Sequence, residues 1–280
     1  MNKLLILFFL IVYNCDTGNL NIVADLPKIL DEVSGTETTW DSNLIWTLND
    51  SGNKSKIYGL NKNGSIITEI KINAKNNDWE DLTSDKKGNL YIGDFGNNMN
   101  RRTNLAILKI NKNALATDHK INVDRILFKY PNQTKFPPKK DRMHFDSEAF
   151  FYYNEHLYLF TKSRVKHDFG RTNLYKIPAT PGFHVAEYIN SFNSCSDPGC
   201  WITSADISDD GNIVSLLSPK SVFTFTNFTN DDFFNGTVKQ YDFSVLSQKE
   251  GVCFKTNETL YITDEKAHGE GGNLYEFKLQ

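Results

Sequence analysis

The sequence lacks several features that mark common protein classes. No stretch has the extended helical periodicity of an α/β protein, and no apolar run is long enough to span a bilayer. Its histidines and cysteines do not fall at metal-ligand spacings, which argues against a zinc site. The formal net charge is only −3, and nothing in the chain points to nucleic acid as a partner. These absences leave short strands as the expected secondary structure and side chains with oxygen donors as the expected site residues.

The few cysteines are of three kinds. Cys195 and Cys200 enclose Ser196-Asp197-Pro198-Gly199, and in an oxidising compartment we expect them to close a small disulfide loop. A metal-binding pair is the alternative, although no further cysteine pair accompanies them. Cys253 lies in an apolar strand and is expected to be a buried hydrophobic residue. Cys15 belongs to the N-terminal segment.

That N-terminal segment has the character of an export signal. Lys3 precedes the apolar run Leu4–Val12, which has the length and flanks of a signal peptide. Cys15 follows, as in bacterial lipoprotein signals whose cysteine becomes acylated; simple cleavage nearby is the alternative. We therefore expect residues 1–15 to be a signal and residues 19–280 to form one domain. The protein would be exported to the cell envelope or surface, lipid-anchored at Cys15, or secreted.

What the sequence does have is a repeated unit of two short strands. Its clearest copy is Asn77-Asp78-Trp79-Glu80-Asp81-Leu82, followed by Leu90-Tyr91-Ile92-Gly93-Asp94-Phe95-Gly96-Asn97. The turn between the two strands carries Asn, Asp or Gly, which tolerate the positive φ of hairpins. Five copies begin with an acidic or hydroxyl residue and continue to an apolar residue: Ser34 to Leu44, Glu80 to Leu90, Glu148 to Leu157, Ser204 to Ile213, and Glu250 to Leu260.

A period of roughly 45 to 65 residues made of short strands is typical of a β-propeller, in which each repeat is one blade. The sequence therefore predicts an all-β, five-bladed β-propeller, with six blades as the alternative. The fifth copy supplies only three strands, so a strand within Leu20–Leu30 is expected to complete that blade and close the ring. In the third blade, His184–Ile189 is the expected outer strand.

One inner-strand position in each blade is expected to face the central channel. Three carboxylates gathered there would repel one another unless they were protonated or held a cation. Together with two hydroxyls and water they would supply the roughly six to eight hard oxygen ligands that Ca²⁺ prefers. The predicted Ca²⁺ ligands are Ser34, Glu80, Glu148, Ser204 and Glu250. The alternative is that these residues hydrogen-bond neighbouring strands or hold channel water.

Charged residues are expected to collect at one mouth of the channel, where second strands end and the next loops begin. The acidic residues there are Asp50, Asp94, Asp264 and Glu265. The basic ones are Arg101, Arg102, Lys139, Lys140, Arg142, His144, Lys162, Arg164 and Arg171. Such a mixture beside a metal suits an anionic ligand, because Arg and Lys bind phosphate or carboxylate oxygens. An ordinary solvated surface is the alternative.

Three of these motifs resemble a known family, the calcium-activated apyrases. They are Trp79-Glu80-Asp81-Leu82 with Leu90-Tyr91-Ile92-Gly93, His144-Phe145-Asp146-Ser147-Glu148-Ala149, and Glu250-Gly251-Val252. Members of that family are secreted five-bladed propellers that hydrolyse nucleoside di- and triphosphates. The resemblance implies one Ca²⁺ at the channel centre, with the five serines and glutamates already named as ligands. The sequences Asp78-Trp79-Glu80-Asp81 and Gly93-Asp94-Phe95-Gly96-Asn97 also resemble those of a group of exported bacterial propeller lipoproteins.

These features predict a calcium-dependent phosphohydrolase acting on an anionic small molecule such as a nucleotide or phosphoester. Asp50 or Asp94 would orient the attacking water, while Lys162 and Arg164 would neutralise charge in the transition state. The second interpretation is a non-catalytic module in which Ca²⁺ pins the blades together and the loops bind a surface protein. A glycoside hydrolase is a third, although no arrangement singles out its carboxylates.

Overall fold

The computed structural model describes residues 17–40, 42–117 and 119–279. The expected signal peptide and the acylation site Cys15 lie outside the described residues. Within them, the fold is all-β and consists of five sheets arranged as the blades of a five-bladed propeller, as predicted.

Each blade is built on a meander of antiparallel strands that runs outward from the innermost strand; the outermost strands of blades 1, 2 and 5 come from other parts of the chain. The first strand of the chain, β1 (Asn21–Asp25), belongs to the last blade. Blade 1 contains β2 (Val33–Thr38), β3 (Ile45–Asn49), β4 (Lys56–Leu60) and β5 (Ile66–Ile72). Blade 2 contains β6 (Trp79–Ser84), β7 (Leu90–Asp94) and β8 (Ala106–Ile110). The chain then forms a short helix α1 (Lys112–Thr117), β9 (Lys120–Ile121), which extends blade 1, and β10 (Asp124–Lys129), which returns to blade 2.

Blades 3 to 5 follow the same plan. Blade 3 contains β11 (Asp146–Tyr153), β12 (His156–Lys162) and β13 (Arg171–Pro178); then come β14 (Gly182–Val185) and β15 (Glu187–Asn193). Blade 4 contains β16 (Ser204–Ile207), β17 (Val214–Leu217), β18 (Ser221–Thr226) and β19 (Thr237–Asp242). Blade 5 contains β20 (Lys249–Thr256), β21 (Thr259–Asp264) and β22 (Asn273–Lys278). Short 3₁₀ turns lie at Lys28–Leu30, Lys140–Arg142, Pro198–Cys200 and Phe233–Asn235.

The ring closes as the sequence predicts. Strand β1 pairs antiparallel with β22, with Asn21 opposite Glu276 and Asp25 opposite Asn273, and so completes blade 5. The strand is shorter than the expected segment, because the chain turns into the 3₁₀ helix Lys28–Leu30 before it enters blade 1. The edge of β22 is therefore covered by the N-terminal part of the same domain.

The prediction that His184–Ile189 forms the outer strand of blade 3 was wrong for its first residues and correct for residues 187–189. Residues Gly182–Val185 pair parallel with β10 of blade 2, and the amide of Ala186 continues this contact by donating to the carbonyl of Lys129. Blade 3 instead takes Glu187–Asn193 as its outer strand, antiparallel to β13. One apolar run in the sequence is thus divided between two blades, because the free edge of β10 offers its first residues a partner.

The core lies between the blades. The described residues form five clusters of buried apolar side chains, one at each contact between adjacent blades. Between blades 2 and 3, for example, Phe95 packs edge-to-face on Phe128 and Phe150. The only helix of α type in the described chain is α1, and no helix there has the length and apolar character of a membrane span.

Candidate metal site at one end of the channel

The three glutamates predicted to face the channel all lie at irregularities in the inner strands. Glu148 is unpaired between Ser147 and Ala149, and Glu250 is unpaired between Lys249 and Gly251. In β6 the register shift spans Glu80 and Asp81. A β-bulge bends the strand and changes the direction of its side chains. We call the channel end where these glutamates meet Asp50 and Asp78 the acidic mouth.

The two predicted serine ligands are engaged between blades instead. Ser34 donates its hydroxyl to the carbonyl oxygen of Glu80. Ser204 lies in a regularly paired strand; its hydroxyl is 3.0 Å from Asp81 Oδ1 and also accepts the amide of Val252. Both residues thus have the hydrogen-bonding role between strands that the sequence left open as the alternative. Metal ligation by either serine stays a prediction.

Asp50, Asp78 and Glu80 form the tightest acidic group at this end. One carboxylate oxygen from each can be chosen so that all three lie within 4.8 Å of one another, a separation that suits a shared metal ion. Asp50 follows the end of β3, Asp78 precedes β6, and Glu80 lies in the bulge. Asp78 is part of the repeated motif in the sequence, but its role as a partner of Glu80 was missed.

The backbone of the loop after β7 leaves space for these carboxylates. A Cβ atom on Gly96 would lie 1.9 Å from Glu80 Oε1 and 2.7 Å from Asp78 Oδ2. Any side chain at position 96 would therefore displace both acids. Arg102 holds this loop by donating to the carbonyl of Gly96 at 2.7 Å. Gly96 is therefore required, because Asp78 and Glu80 occupy the space that a side chain at this position would need.

Asp94, predicted to orient a nucleophile, is fully buried under this loop. Its Oδ1 is 2.9 Å from Arg102 Nη2, and its Oδ2 accepts a hydrogen bond from the side-chain amide of Asn77 at 2.7 Å. Its Oδ1 also accepts the amide of Asp78. These contacts give Asp94 the task of fixing the segment that carries Asp78. Its catalytic role stays a prediction.

In one part of the acidic mouth, burial and repulsion between carboxyl groups outweigh the effect of nearby cations. Burial and then repulsion from Glu148 and Asp50 raise the pKa of Glu80 well above its usual value. Burial also raises the pKa of Asp50 to about 6. Glu250 and Glu265 show the same behaviour, and burial raises their pKa values to about 8 and about 7. Neutral carboxyl groups or a bound cation would relieve this repulsion.

The opposite part of the same mouth is compensated by two cations. Lys162 Nζ lies 3.1 Å from Glu148 Oε2, and Arg164 bridges Asp146 Oδ2 at 2.6 Å and Glu148 Oε1 at 3.1 Å. Although burial opposes it, the two cations lower the pKa of Glu148. Burial and the neighbouring Glu148 raise the pKa of Asp146 to about 7. Lys162 and Arg164, predicted to meet an anionic substrate, are therefore already paired with carboxylates.

A disulfide loop places an aromatic ring against these cations. Cys195 and Cys200 form the predicted disulfide, with their Cα atoms 5.8 Å apart. The next residue, Trp201, has its ring centre 5.2 Å from Lys162 Nζ and 4.8 Å from the guanidinium carbon of Arg164. Its indole nitrogen donates to the carbonyl of Ser163 at 2.8 Å. Trp201 could not be predicted from the sequence, because its contact with Lys162 and Arg164 depends on the path of the disulfide loop.

The remaining charged residues assigned to this mouth are more dispersed. Arg101, Lys139, Lys140 and Arg142 are exposed, as expected of a solvated surface. Arg171 Nη1 lies 3.9 Å from Asp168 Oδ2, and His144 Nδ1 forms a hydrogen bond with the Ser163 hydroxyl. Asp264 is fully buried and accepts the hydroxyl of Tyr275 and the amide of Asn273. Cys253 is a buried free cysteine, as predicted.

No protein-family model matches the sequence, and no curated protein matches it. Among solved structures, a gluconolactonase from Xanthomonas campestris is similar with a TM-score of 0.52 and 9% identity, over 95% of this chain and 96% of that one. The PQQ-bound aldose sugar dehydrogenase from Streptomyces coelicolor is similar with a TM-score of 0.55 and 8% identity, over 93% of this chain and 98% of that one. At such low identity the likeness concerns the β-propeller fold alone.

Proposed function

We propose that this propeller binds Ca²⁺ at the acidic mouth and uses it to hydrolyse phosphoanhydride or phosphoester bonds in an anionic small molecule. One observation carries the metal site: Asp50, Asp78 and Glu80 bring carboxylate oxygens within 4.8 Å of one another. Burial and then mutual repulsion raise the pKa values of these carboxyl groups, so that further positive charge would stabilise their ionised forms. A divalent cation would supply it.

The donor set fits Ca²⁺ better than a softer metal. All three groups are carboxylates, and Ca²⁺ accepts such oxygens together with water in a flexible geometry. Glu250 and Glu265 supply further carboxylates at the same mouth, where burial and then neighbouring acids, among them Asp50, raise the pKa values of both. The originally predicted ligands Ser34 and Ser204 remain part of the proposal only as supports, since their hydroxyls bind Glu80 and Asp81.

Asp50, Asp78 and Glu80 would hold the ion, which would supply a Lewis acid for a phosphoryl oxygen of the substrate. Asp50 is half-buried at the edge of this group, where a carboxylate oxygen that does not bind the ion would orient the attacking water. Asp94 holds the segment of Asp78 in place through its hydrogen bonds. Lys162 and Arg164 would neutralise substrate charge after exchanging part of their contacts with Glu148 and Asp146. The resemblance of the inner strands to the calcium-activated apyrases supports the choice of nucleotides as first substrates.

A second candidate is a non-catalytic module in which Ca²⁺ joins the blades and the loops bind a surface protein. The ion pairs of Lys162 and Arg164 favour it, because both cations are engaged by Glu148 and Asp146 and are covered by Trp201. Substrate binding would have to compete with these buried pairs, and breaking such a pair is costly.

The metal site is tested by calorimetric titration of the purified protein with CaCl₂ and with MgCl₂. We expect Ca²⁺ to bind more tightly than Mg²⁺ and binding to be lost in Glu80→Gln. Asp209→Asn is the matched control, because Asp209 is an exposed carboxylate at the other end of the channel. Equal Ca²⁺ affinity of Glu80→Gln and the native protein would contradict the proposal.

The reaction is tested by phosphate release from ATP, ADP and p-nitrophenyl phosphate, with Ca²⁺ and then with a chelator. Release that requires Ca²⁺ and is lost in Glu80→Gln supports the phosphohydrolase. Calcium binding without release from any of these compounds would instead support the non-catalytic module.

We also propose that the protein is exported and lipid-anchored at Cys15, on the grounds of the N-terminal sequence alone. Mass spectrometry of the N-terminal peptide from membranes of the native host tests this proposal. An acylated cysteine at the new N-terminus is expected, and an unmodified N-terminus further along the chain would contradict it.

A further inference from the structure

The opposite end of the channel contains a cavity. Its volume is about 830 Å³, and it is lined by the hairpin turns that join the first and second strands of the blades. We call it the turn mouth. Between the two ends lies Asp81, whose buried carboxylate accepts the amides of Phe150 of blade 3 and Ala205 of blade 4. A volume of roughly 300 to 1,000 Å³ is usual for small-molecule sites.

Two buried carboxylates form polar points in this cavity. Glu37 receives the amides of Thr38 and Ser84 at 2.6 and 2.9 Å, one on each oxygen. Asp206 receives the amides of Ile207 and Phe254 at 2.8 and 2.7 Å in the same way. Each group is thereby fixed in position by its own blade and by the next one. Since a carboxylate has about four acceptor sites, each retains capacity for a ligand.

The two groups also repel each other. Burial and then the charge of Asp206 raise the pKa of Glu37 well above its usual value. Burial raises the pKa of Asp206 to about 7. Two carboxyl groups that repel each other in one cavity disfavour an anionic ligand there.

Aromatic side chains stand around these polar groups. Trp40 lines the cavity with 69% of its surface exposed, which is unusual for a tryptophan and leaves its ring available for stacking. Tyr153 also lines the cavity and is supported from blade 4 by Gly211, where a Cβ atom would lie 2.8 Å from the tyrosine ring. The left-handed conformation of Gly211, with φ of 72°, allows this close approach.

The charges of the turn mouth nearly cancel. Among the described residues that line it there are five carboxyl groups and four lysines. Part of this charge is already paired, as in the contact of 3.9 Å between Lys87 and Glu155. Unlike the acidic mouth, the cavity therefore has no excess charge that would select an ion.

We propose that the turn mouth is a binding site for a neutral saccharide. The Glu37 and Asp206 carboxyl groups would exchange hydrogen bonds with sugar hydroxyls, which are both donors and acceptors. The apolar face of the sugar ring would stack on Trp40. A cavity of this size, with a few fixed polar groups among aromatic rings, suits a ligand that is polar at its edges and apolar on its faces.

The experiment is saturation-transfer NMR of the purified protein with glucose, galactose, xylose, N-acetylglucosamine, maltose and cellobiose, followed by calorimetry for any probe that binds. We expect at least one probe to bind with a dissociation constant below about 10 mM. Trp40→Ala should weaken binding about tenfold or more, because it removes the stacking surface. The substitution is at an exposed side chain, so the fold should be unaffected.

Two further variants locate the site. Asp206→Asn should weaken binding of the same probe, since it replaces an acceptor by a group that presents a donor on one side. Phe183→Ala is the matched control, because Phe183 is an equally exposed aromatic residue, 61% accessible, on strand β14 outside the cavity; it should leave the affinity unchanged. Absence of binding by all six sugars, or equal affinity of Trp40→Ala and the native protein, would overturn the proposal.

Discussion

The two ends of the channel use the same residue types, which come from the inner strands of different blades, in different ways. At the turn mouth, Glu37 and Asp206 each accept a backbone amide from the next blade. At the acidic mouth, no described residue donates a hydrogen bond to the carboxylates of Glu80 and Glu250. A buried carboxylate that receives amides from a neighbouring blade joins the two blades, whereas one without donors needs a proton or a cation.

The contrast teaches that position in the channel does not by itself make a carboxylate a metal ligand. Asp81 follows Glu80 directly, yet its four hydrogen bonds connect blades 2, 3 and 4. Glu80 and Asp81 are adjacent in one bulge but have different partners. The N–H groups near each carboxylate decide whether it joins blades or is left to bind a cation.

The largest expected effect comes from removing Asp81. Asp81→Ala would leave the amides of Phe150 and Ala205 and the hydroxyl of Ser204 without their acceptor in a buried place. We expect a loss of about 4 kcal/mol in the free energy of unfolding, measured by urea denaturation. Asp81→Asn, which keeps the shape and one acceptor oxygen, should lose less. A loss below about 1 kcal/mol in the alanine variant would show that Asp81 does not join the blades.

The next effect separates the two ends by calcium. At a Ca²⁺ concentration one hundred times the dissociation constant, the ion should add about 2.7 kcal/mol to the free energy of unfolding. Asp78→Asn at the acidic mouth should abolish this increment, since it removes one of the three clustered carboxylates. Asp206→Asn at the turn mouth should retain the calcium-dependent increment, even where the substitution itself changes the free energy of unfolding. Parallel denaturation curves with and without a chelator provide the measurement.

A third effect concerns pH in the absence of metal. Burial raises the pKa of Glu250 to about 8, so the folded protein retains a proton that the unfolded chain loses near its ordinary pKa. The folded state then binds more protons than the unfolded one, and stability should fall as the pH rises from about 5 to 8. Glu250→Gln should reduce this slope by up to about 1.4 kcal/mol per pH unit.

Saturating Ca²⁺ should flatten the same pH dependence, because the ion favours the ionised carboxylates. Unfolding curves at a series of pH values, recorded with a chelator and with Ca²⁺, check this expectation. A native protein whose stability rises over that pH interval in chelator would contradict it.

The smallest effect is expected within the compensated part of the acidic mouth. Trp201→Leu removes the ring that contacts Lys162 and Arg164 and should lower the free energy of unfolding by about 1 kcal/mol. Calcium affinity should change less than twofold, roughly, since Trp201 contacts the cations and not the Asp50 group. A large loss of calcium affinity would mean that the two parts of the mouth are coupled.

Much of the fold could be predicted from the sequence because each blade carries its own local signals. Strand β7, for example, begins at Leu90, directly after the turn Asp85-Lys86-Lys87-Gly88-Asn89, as the repeated unit predicts. The division of residues 182–193 between two blades could not be predicted in this way, since it depends on a free edge formed about 55 residues earlier in the chain.

The site was predictable only in part for a similar reason. Glu80, Glu148 and Glu250 stood out as acids in short inner strands, and all three lie in bulges. The pairing of Ser204 with Asp81 joins residues 123 apart in sequence, and no local pattern reveals it. Partners such as Asp78 and Trp201 become functional candidates only when the loops have been placed around the channel.

The pairing of β1 with β22 has a consequence for how this protein reaches its native state. It joins segments from opposite ends of the domain, and closing so long a loop is entropically slow. We expect ring closure to be the last step of folding, with blades 1 to 4 formed beforehand. Until β22 pairs with β1, the nascent chain exposes an unpaired strand edge in its last blade. We expect chaperones to contact this edge during synthesis.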